Sequence, residues 1–246
     1  MKLDPARYLT LLRSDGAALA DAAEQDPAAS VAAFDDDYDV ASLVTHTGGV
    51  HRWFIACLAA DAYVAQDQLA PPPADYIGWF RAGVDELATI LEQRGADDPT
   101  WTWGSVATTG FWYRRAAHET AVHRWDAQAA VGSADPIDAE LAVDGVDELF
   151  DEMLPRRSPS WAAVVGDEAV SASVHLHATD AEGEWMLVLG GEDGLVVTRE
   201  HAKGDVAAKG AASDLLLMLY SRVDIGVVDL FGDRELLSRW QAHVSI

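Results

Sequence analysis

Cysteine is almost absent. Cys57 is the single one in 246 residues, which excludes a disulfide framework and a cysteine-rich zinc site. It lies in the apolar stretch WFIACLAA and reads as a buried, inert thiol, so any thiol chemistry needs a thiol brought from outside. Positive charge is scarce too. Seventeen basic residues face 41 acidic ones, for a formal net charge of −24. Such a surface repels phosphate backbones and anionic headgroups, so neither nucleic acid nor a membrane is an expected partner. No apolar run approaches the ~20 residues that a membrane-spanning helix needs. The start, MKLDPARYLTLL, lacks the basic segment, long apolar stretch and small-residue cleavage site of a signal peptide. The expectation is a soluble, cytoplasmic protein. Half the residues are hydrophobic, enough for a sizeable core, and the length suits two modest domains.

The first half reads as helices. Asp4-Pro5 supplies an N-cap carboxylate and a proline at the first helical position, opening a helix to about Gln25. Asp39 caps a second, with Val40, Leu43, Val44 and Phe54 as apolar positions, expected to end near Pro71-Pro72-Pro73. A third spans about Asp75 to Gln93 and stops at Gly95. A fourth covers about Gly110 to Val131. These four suggest an up-and-down bundle. Asp135-Pro136 opens a further helix, roughly Asp138 to Met153. The stretch LPRRSPS, residues 154–160, reads as a boundary, giving domains 1–153 and 161–246. Beyond it the period changes to two. ASVHLHA at 172–178, WMLVL at 185–189, LVVT at 195–198 and residues 206–209 read as short strands. Ser213 is expected to cap a helix from Asp214 to Arg222. Residues 227–230 read as one more strand, and a last helix begins near Asp233. The second half is thus a small α+β domain.

The chemistry-bearing segment is His118-Glu119-Thr120-Ala121-Val122-His123-Arg124-Trp125-Asp126. His118 and His123 are five apart, about 140° around a helix, and cannot share a metal. Glu119 and His123 are four apart on one face. Asp126 continues that face and can orient the imidazole. A tight site needs a third ligand from another helix, and the second helix offers His46 and His51, which face different directions. Gly48 and Gly49 between them each weaken an isolated helix by ~1 kcal/mol, which points to a close approach by a neighbouring backbone or ligand. A His/Glu/His set leaves a coordination position open. Zinc suits these donors first, with nickel, iron(II) and manganese as alternatives. The competing reading pairs Glu119 with Arg115, four residues back.

These residues resemble a known family. DYDVASLVTHTGGVHRW at 37–53 and HETAVHRWDAQAA at 118–130 look like the two metal-binding helices of the mycothiol-dependent maleylpyruvate isomerase family, an actinobacterial group within the DinB-like superfamily. The resemblance implies His46, Glu119 and His123 as metal ligands, leaves out His51 and His118, and places Asp126 as the aspartate after the last ligand. Tyr38 stands where the family usually has tryptophan, at a packing position. The second half is similar to the family's C-terminal domain, a small α+β unit related to the sterol-carrier-protein fold. The stretch from Ser213 to Arg222 resembles its signature helix, which usually ends in Gly-Arg. Arg222 then corresponds to an arginine implicated in catalysis, with Ser221 in place of the glycine.

The implied function is that of a metal- and mycothiol-dependent enzyme adding a thiolate to a small electrophile, as isomerase or S-transferase. Trp112 and Trp125 would line its pocket or belong to the core. The alternative is a non-catalytic metal- or ligand-binding protein of the same fold. The expected assembly is a monomer or homodimer.

Overall fold

A computed structural model of the chain describes residues 3–34, 37–157, 160–166, 171–190 and 194–244. Its contacts divide it into two compact units that meet in sequence at Asp135 and Pro136.

The first unit is four helices, α1 (Pro5–Gln25), α2 (Val40–Ala60), α3 (Tyr76–Arg94) and α4 (Thr109–Ala130). Each of the four touches the other three. The starts of α1, α2 and α3 are set by carboxylate caps that take up otherwise orphaned backbone N–H groups. Asp4 accepts from Ala6 at 2.9 Å, Asp39 from Ser42 at 2.7 Å and Asp75 from Gly78 at 3.0 Å. The expectation for α2 is corrected. It ends at Ala60, well before the proline run. Asp61 there adopts a left-handed conformation, φ 49°, and its carboxylate accepts from Trp101 N at 2.7 Å and Thr100 Oγ1 at 3.0 Å. Aspartate tolerates that backbone region better than most residues, and the two hydrogen bonds fix the stop.

α4 is buried on nearly every side. Besides Phe111, Trp112 and Val122 it buries Arg114, Arg115, His118, His123, Arg124 and Asp126. Burying so many polar groups demands internal partners. Arg124, for example, donates to Asp15 on α1 at 3.1 Å.

The second unit begins with α5 (Ala139–Glu148), which widens into a π turn (Leu149–Met153) and closes with the short α6 (Leu154–Arg157) and α7 (Trp161–Val165). A five-stranded mixed sheet follows, built from β1 (Ser171–Ala178), β2 (Glu184–Gly190), β3 (Leu195–Thr198), β4 (Val206–Gly210) and β5 (Asp229–Gly232) in the order β3-β2-β1-β4-β5. Only the β1–β4 pair is parallel. The crossover between β4 and β5 carries α8 (Ala212–Leu219), and α9 (Arg234–His243) closes the fold. Along β1 and β2, Val174, Leu176, Ala178, Trp185, Leu187 and Leu189 are buried and form one face. Their alternates, Ser173, His175, His177, Glu184, Met186 and Val188, take the other.

The first domain was expected to run to residue 153. The contacts put α5 and the turns after it with the sheet instead. The reason is packing. α5 buries Leu141, Ala142 and Val146 and contacts α8. Its Asp147 accepts from Trp185 Nε1 at 2.8 Å and from Arg199 Nε at 3.0 Å. Ser158 and Pro159, in the expected boundary, lie outside the described residues. Two smaller corrections follow. Ser213 is inside α8, not its cap, and its Oγ accepts from Ile137 N at 2.9 Å. The strand expected at 227–230 is shifted to 229–232, after a 3-10 turn at Ile225–Val227. Among the described residues no helix is long and apolar enough to cross a membrane.

Candidate metal centre

Helical spacing puts Glu119 and His123 one above the other on α4, and α2 brings His46 to them. Glu119 Oε1 lies 3.2 Å from His123 Nε2 and 3.7 Å from His46 Nε2. One donor atom from each of the three lies within 4.8 Å of the others. The two imidazole rings are nearly perpendicular, with centroids 5.4 Å apart. His123 Nδ1 donates to Asp126 Oδ2 at 3.1 Å, which turns Nε2 toward Glu119. Arg115 donates to the other oxygen, Oε2, at 3.1 Å. Pairing with Arg115 and facing the histidines are therefore compatible, because each uses its own oxygen.

The electrostatics are those of a tight ion cluster. Burial alone would raise the Glu119 pKa. The charge of His123, the close polar contacts with His123 and His46, and the Arg115 guanidinium hold it well below the usual carboxylate range. Burial alone would lower the His123 pKa, but the Glu119 charge and the hydrogen bond to Asp126 outweigh it and push it up to about 9. Glu119 and His123 are nearly enclosed. The His46 side chain is 48% exposed, so the cluster is open to solvent on that side.

The other histidines of these helices turn elsewhere. His51 is buried, stacked on Phe80 with Nε2 2.9 Å from Thr120 Oγ1. His118 is buried with its ring edge-on to Tyr8. Gly48 meets a side chain instead of a backbone or ligand, since an added Cβ would overlap the Trp79 ring. Among the described residues nothing outside its own helix turn comes within 4 Å of the same position at Gly49, three residues after His46. Trp112 is fully buried in an aromatic cluster with Trp53, Phe54 and Phe111, so it is core. Trp125 is half-buried. Cys57 is buried, and burial pushes its thiol pKa up, as an inert thiol requires.

Two family descriptions match this chain. Residues 9–128 match the mycothiol maleylpyruvate isomerase N-terminal domain, and residues 140–239 match the C-terminal domain of the same family. The chain belongs to the mycothiol maleylpyruvate isomerase family. Comparison with curated protein sequences finds no match. Among solved structures, the chain is similar to a single-site mutant of mycothiol-dependent maleylpyruvate isomerase. The two share 10% identity over 93% of each chain, with a TM-score of 0.55. That identity speaks for the fold. The stereoselective inverting sec-alkylsulfatase Pisa1 from Pseudomonas sp. aligns at 14% identity over 84% of this chain and 30% of its own, with a TM-score of 0.34.

Membership in this family links the chain to mycothiol-dependent isomerisation and to the fold described above. Of the residues singled out in the sequence, His46, Glu119, His123 and Asp126 converge. Arg222 lies in the second compact unit, just past α8, where its guanidinium donates to Tyr220 O at 3.0 Å. Ser221 before it has φ 58°, in the left-handed region that glycine adopts without steric cost. A second imidazole–carboxylate cluster, around Glu184, was not anticipated. Its one sequence signal is the His175-Leu176-His177 alternation, which puts two imidazoles on one face of a strand.

Proposed function

We propose that the protein is a metal- and thiol-dependent enzyme, with a divalent cation held by His46, Glu119 and His123 and mycothiol as the thiol cosubstrate. The observation that carries this is the convergence of Glu119 Oε1 on both imidazole Nε2 atoms, at 3.2 and 3.7 Å, with His46 left half exposed. Two imidazoles and a carboxylate with an open side are the donor set of a catalytic zinc site. A cation bound there supplies charge that lowers the pKa of a coordinating thiol and keeps it as thiolate near neutral pH.

The chain's own residues have separate tasks. Asp126 holds the proton on His123 Nδ1, so that Nε2 is the nitrogen that would offer a lone pair to a cation after giving up its own proton. Arg115 holds Glu119 Oε2 and stops the carboxylate from swinging. Arg222, by resemblance to the family, corresponds to an arginine implicated in catalysis. The reaction class is addition of the thiol sulfur to a small unsaturated or otherwise electrophilic molecule. Addition to a cis double bond leaves a single bond free to rotate. Expulsion of the same sulfur then gives the trans isomer and returns the thiol. If the adduct is retained, the outcome is S-transfer. The proposed setting is the cytoplasm.

The test uses the purified full chain with zinc, mycothiol and monochlorobimane, alongside a panel of cis-unsaturated dicarboxylic acids. Time-dependent turnover that needs zinc and disappears in Glu119→Ala is expected. Arg222→Ala is expected to keep its zinc and lose turnover. A zinc-loaded protein that turns over none of the panel would instead be a binding protein of the same fold.

A further inference from the structure

We infer that the C-terminal unit holds a second divalent-cation site, in which His175 Nε2, His201 Nδ1 and Glu184 Oε2 bind zinc. The inference does not depend on the site proposed above, since every residue concerned lies in the other compact unit.

Three separate pieces of chain build this cluster. β1 presents His175 and His177 two residues apart on the same face. The β1–β2 register sets Glu184 directly opposite His177. The connection after β3 returns His201 to the same spot. Glu184 Oε2 lies 3.0 Å from His175 Nε2 and 2.8 Å from His201 Nδ1. One donor atom from each of these three lies within 4.8 Å of the others. The His175 and His201 rings are perpendicular, with centroids 4.9 Å apart. Two imidazole nitrogens therefore aim at one carboxylate oxygen from different directions. His177 Nδ1 takes the remaining oxygen, Oε1, at 2.7 Å. That leaves His177 as the residue that orients the carboxylate, as imidazole and carboxylate partners do around bound metals.

The donor chemistry fits. Two neutral imidazoles and a carboxylate are borderline donors that suit zinc. Zinc bonds of ~2.0–2.1 Å in tetrahedral geometry set donors ~3.3 Å apart, close to the 3.0 and 2.8 Å between the carboxylate oxygen and the two imidazole nitrogens. The carboxylate is ready as an anion. Burial would raise the Glu184 pKa, but the three imidazole hydrogen bonds bring it down to about 2. A chain with net charge −24 also concentrates divalent cations around itself. The His201 side chain is 78% exposed, which gives an ion a route in and an open side. Glu184 and His177 also help line a cavity of about 530 Å³, with Asp147, Trp185 and Arg199 on its wall. Zinc on these ligands would tie the segment between β3 and β4 to the sheet at the rim of that space.

The experiment is equilibrium dialysis of the tag-free full chain against zinc, followed by elemental analysis. His201→Ala and Glu184→Gln are each expected to hold one zinc per chain fewer than the parent. His201 is mostly exposed, so its alanine variant keeps the fold, which far-UV circular dichroism checks. The His46→Ala/His123→Ala variant is expected to keep one zinc, and to give a cobalt(II) d–d absorption band that disappears when His201→Ala is added. Equal zinc content in the parent, His201→Ala and Glu184→Gln would overturn the inference, whatever the first site binds. A cobalt band that survives His201→Ala would do the same.

Discussion

Acidification from pH 7 to pH 5 is expected to cost the helical unit about 2 kcal/mol through His51 alone. His51 is fully buried on α2, packed against Phe80, with Nε2 2.9 Å from Thr120 Oγ1. The Thr120 hydroxyl donates to Ala116 O at 2.7 Å, so it receives the His51 Nε2 proton. Nδ1 then carries a buried lone pair with no hydrogen-bond partner among the described residues. Protonating that nitrogen would place an unsolvated cation in the core. Burial therefore pushes the pKa from 6.5 down to about 4; the Glu119 charge opposes this by raising it, and the charges of His123 and Arg52 reinforce it by lowering it further. The folded pKa lies below the unfolded one, so between pH 4 and 6.5 the unfolded chain binds more protons. Stability is present above that window and is lost as pH falls through it. At ~1.4 kcal/mol per pH unit, the full shift amounts to roughly 3 kcal/mol, of which about 2 appears by pH 5. The measurement is urea unfolding of chelator-treated parent and His51→Gln at pH 7, 6 and 5. Subtracting the two curves cancels the other titrating groups. The parent is expected to lose about 2 kcal/mol more than the variant. Parallel pH profiles would refute the reasoning, as would an imidazole carbon shift for His51 that titrates near 6.5.

Adjacent glycines on α2 are expected to respond with opposite signs. Gly49→Ala meets nothing and should stabilise by about 1 kcal/mol through helix propensity, whereas Gly48→Ala drives a methyl into the Trp79 ring and should cost about 1–3 kcal/mol; thermal unfolding of both variants checks this. Ser221→Gly relieves a left-handed φ of 58° and should gain roughly 0.5–1 kcal/mol in chemical denaturation, the steric relief being partly offset by glycine's unfolded entropy. Asp126→Asn removes the charged acceptor behind His123 and is expected to weaken zinc at the first site by about 10–100-fold in chelator competition, with helix content unchanged.

Which features were legible in the sequence follows from where their causes lie. α1 and α3 could be bounded from both ends because each cap is a local event. Asp4-Pro5, Asp75 and Gly95 act on backbone groups within a few residues. The end of α2 could not be read, because the groups that hold Asp61 are Thr100 and Trp101, some 40 positions away. The unit boundary was hidden for the same reason. α5 looks like one more helix after a helical half, and only its contacts with α8, Trp185 and Arg199 assign it to the sheet. A close approach by a backbone or ligand was expected at Gly48 and Gly49; at Gly48 the neighbour is the Trp79 side chain, which lies in another helix and leaves no trace in the local sequence.

The two imidazole–carboxylate clusters differ in the same way. On α4 the spacing of four residues already aligns Glu119, His123 and, three further on, Asp126, so only the partner from α2 had to be found. Spacing left His46 and His51 both open, and the helical phase decides between them. Five residues is about 1.4 turns, a net rotation of about 140°, enough to send His51 inward to Phe80 and leave His46 at the surface beside Glu119. Around Glu184 no single spacing aligns the donors. The β1–β2 register must be known to bring positions 175 and 177 to position 184, and the path after β3 to bring in position 201. A strand contributes at most alternate residues to a site, so such sites are assembled by tertiary pairing and leave only the two-residue alternation as a trace. The cluster at 175–201 therefore belongs to the sheet's geometry, and a change that slipped the β1–β2 register by one residue would scatter it while leaving each strand's own sequence pattern intact.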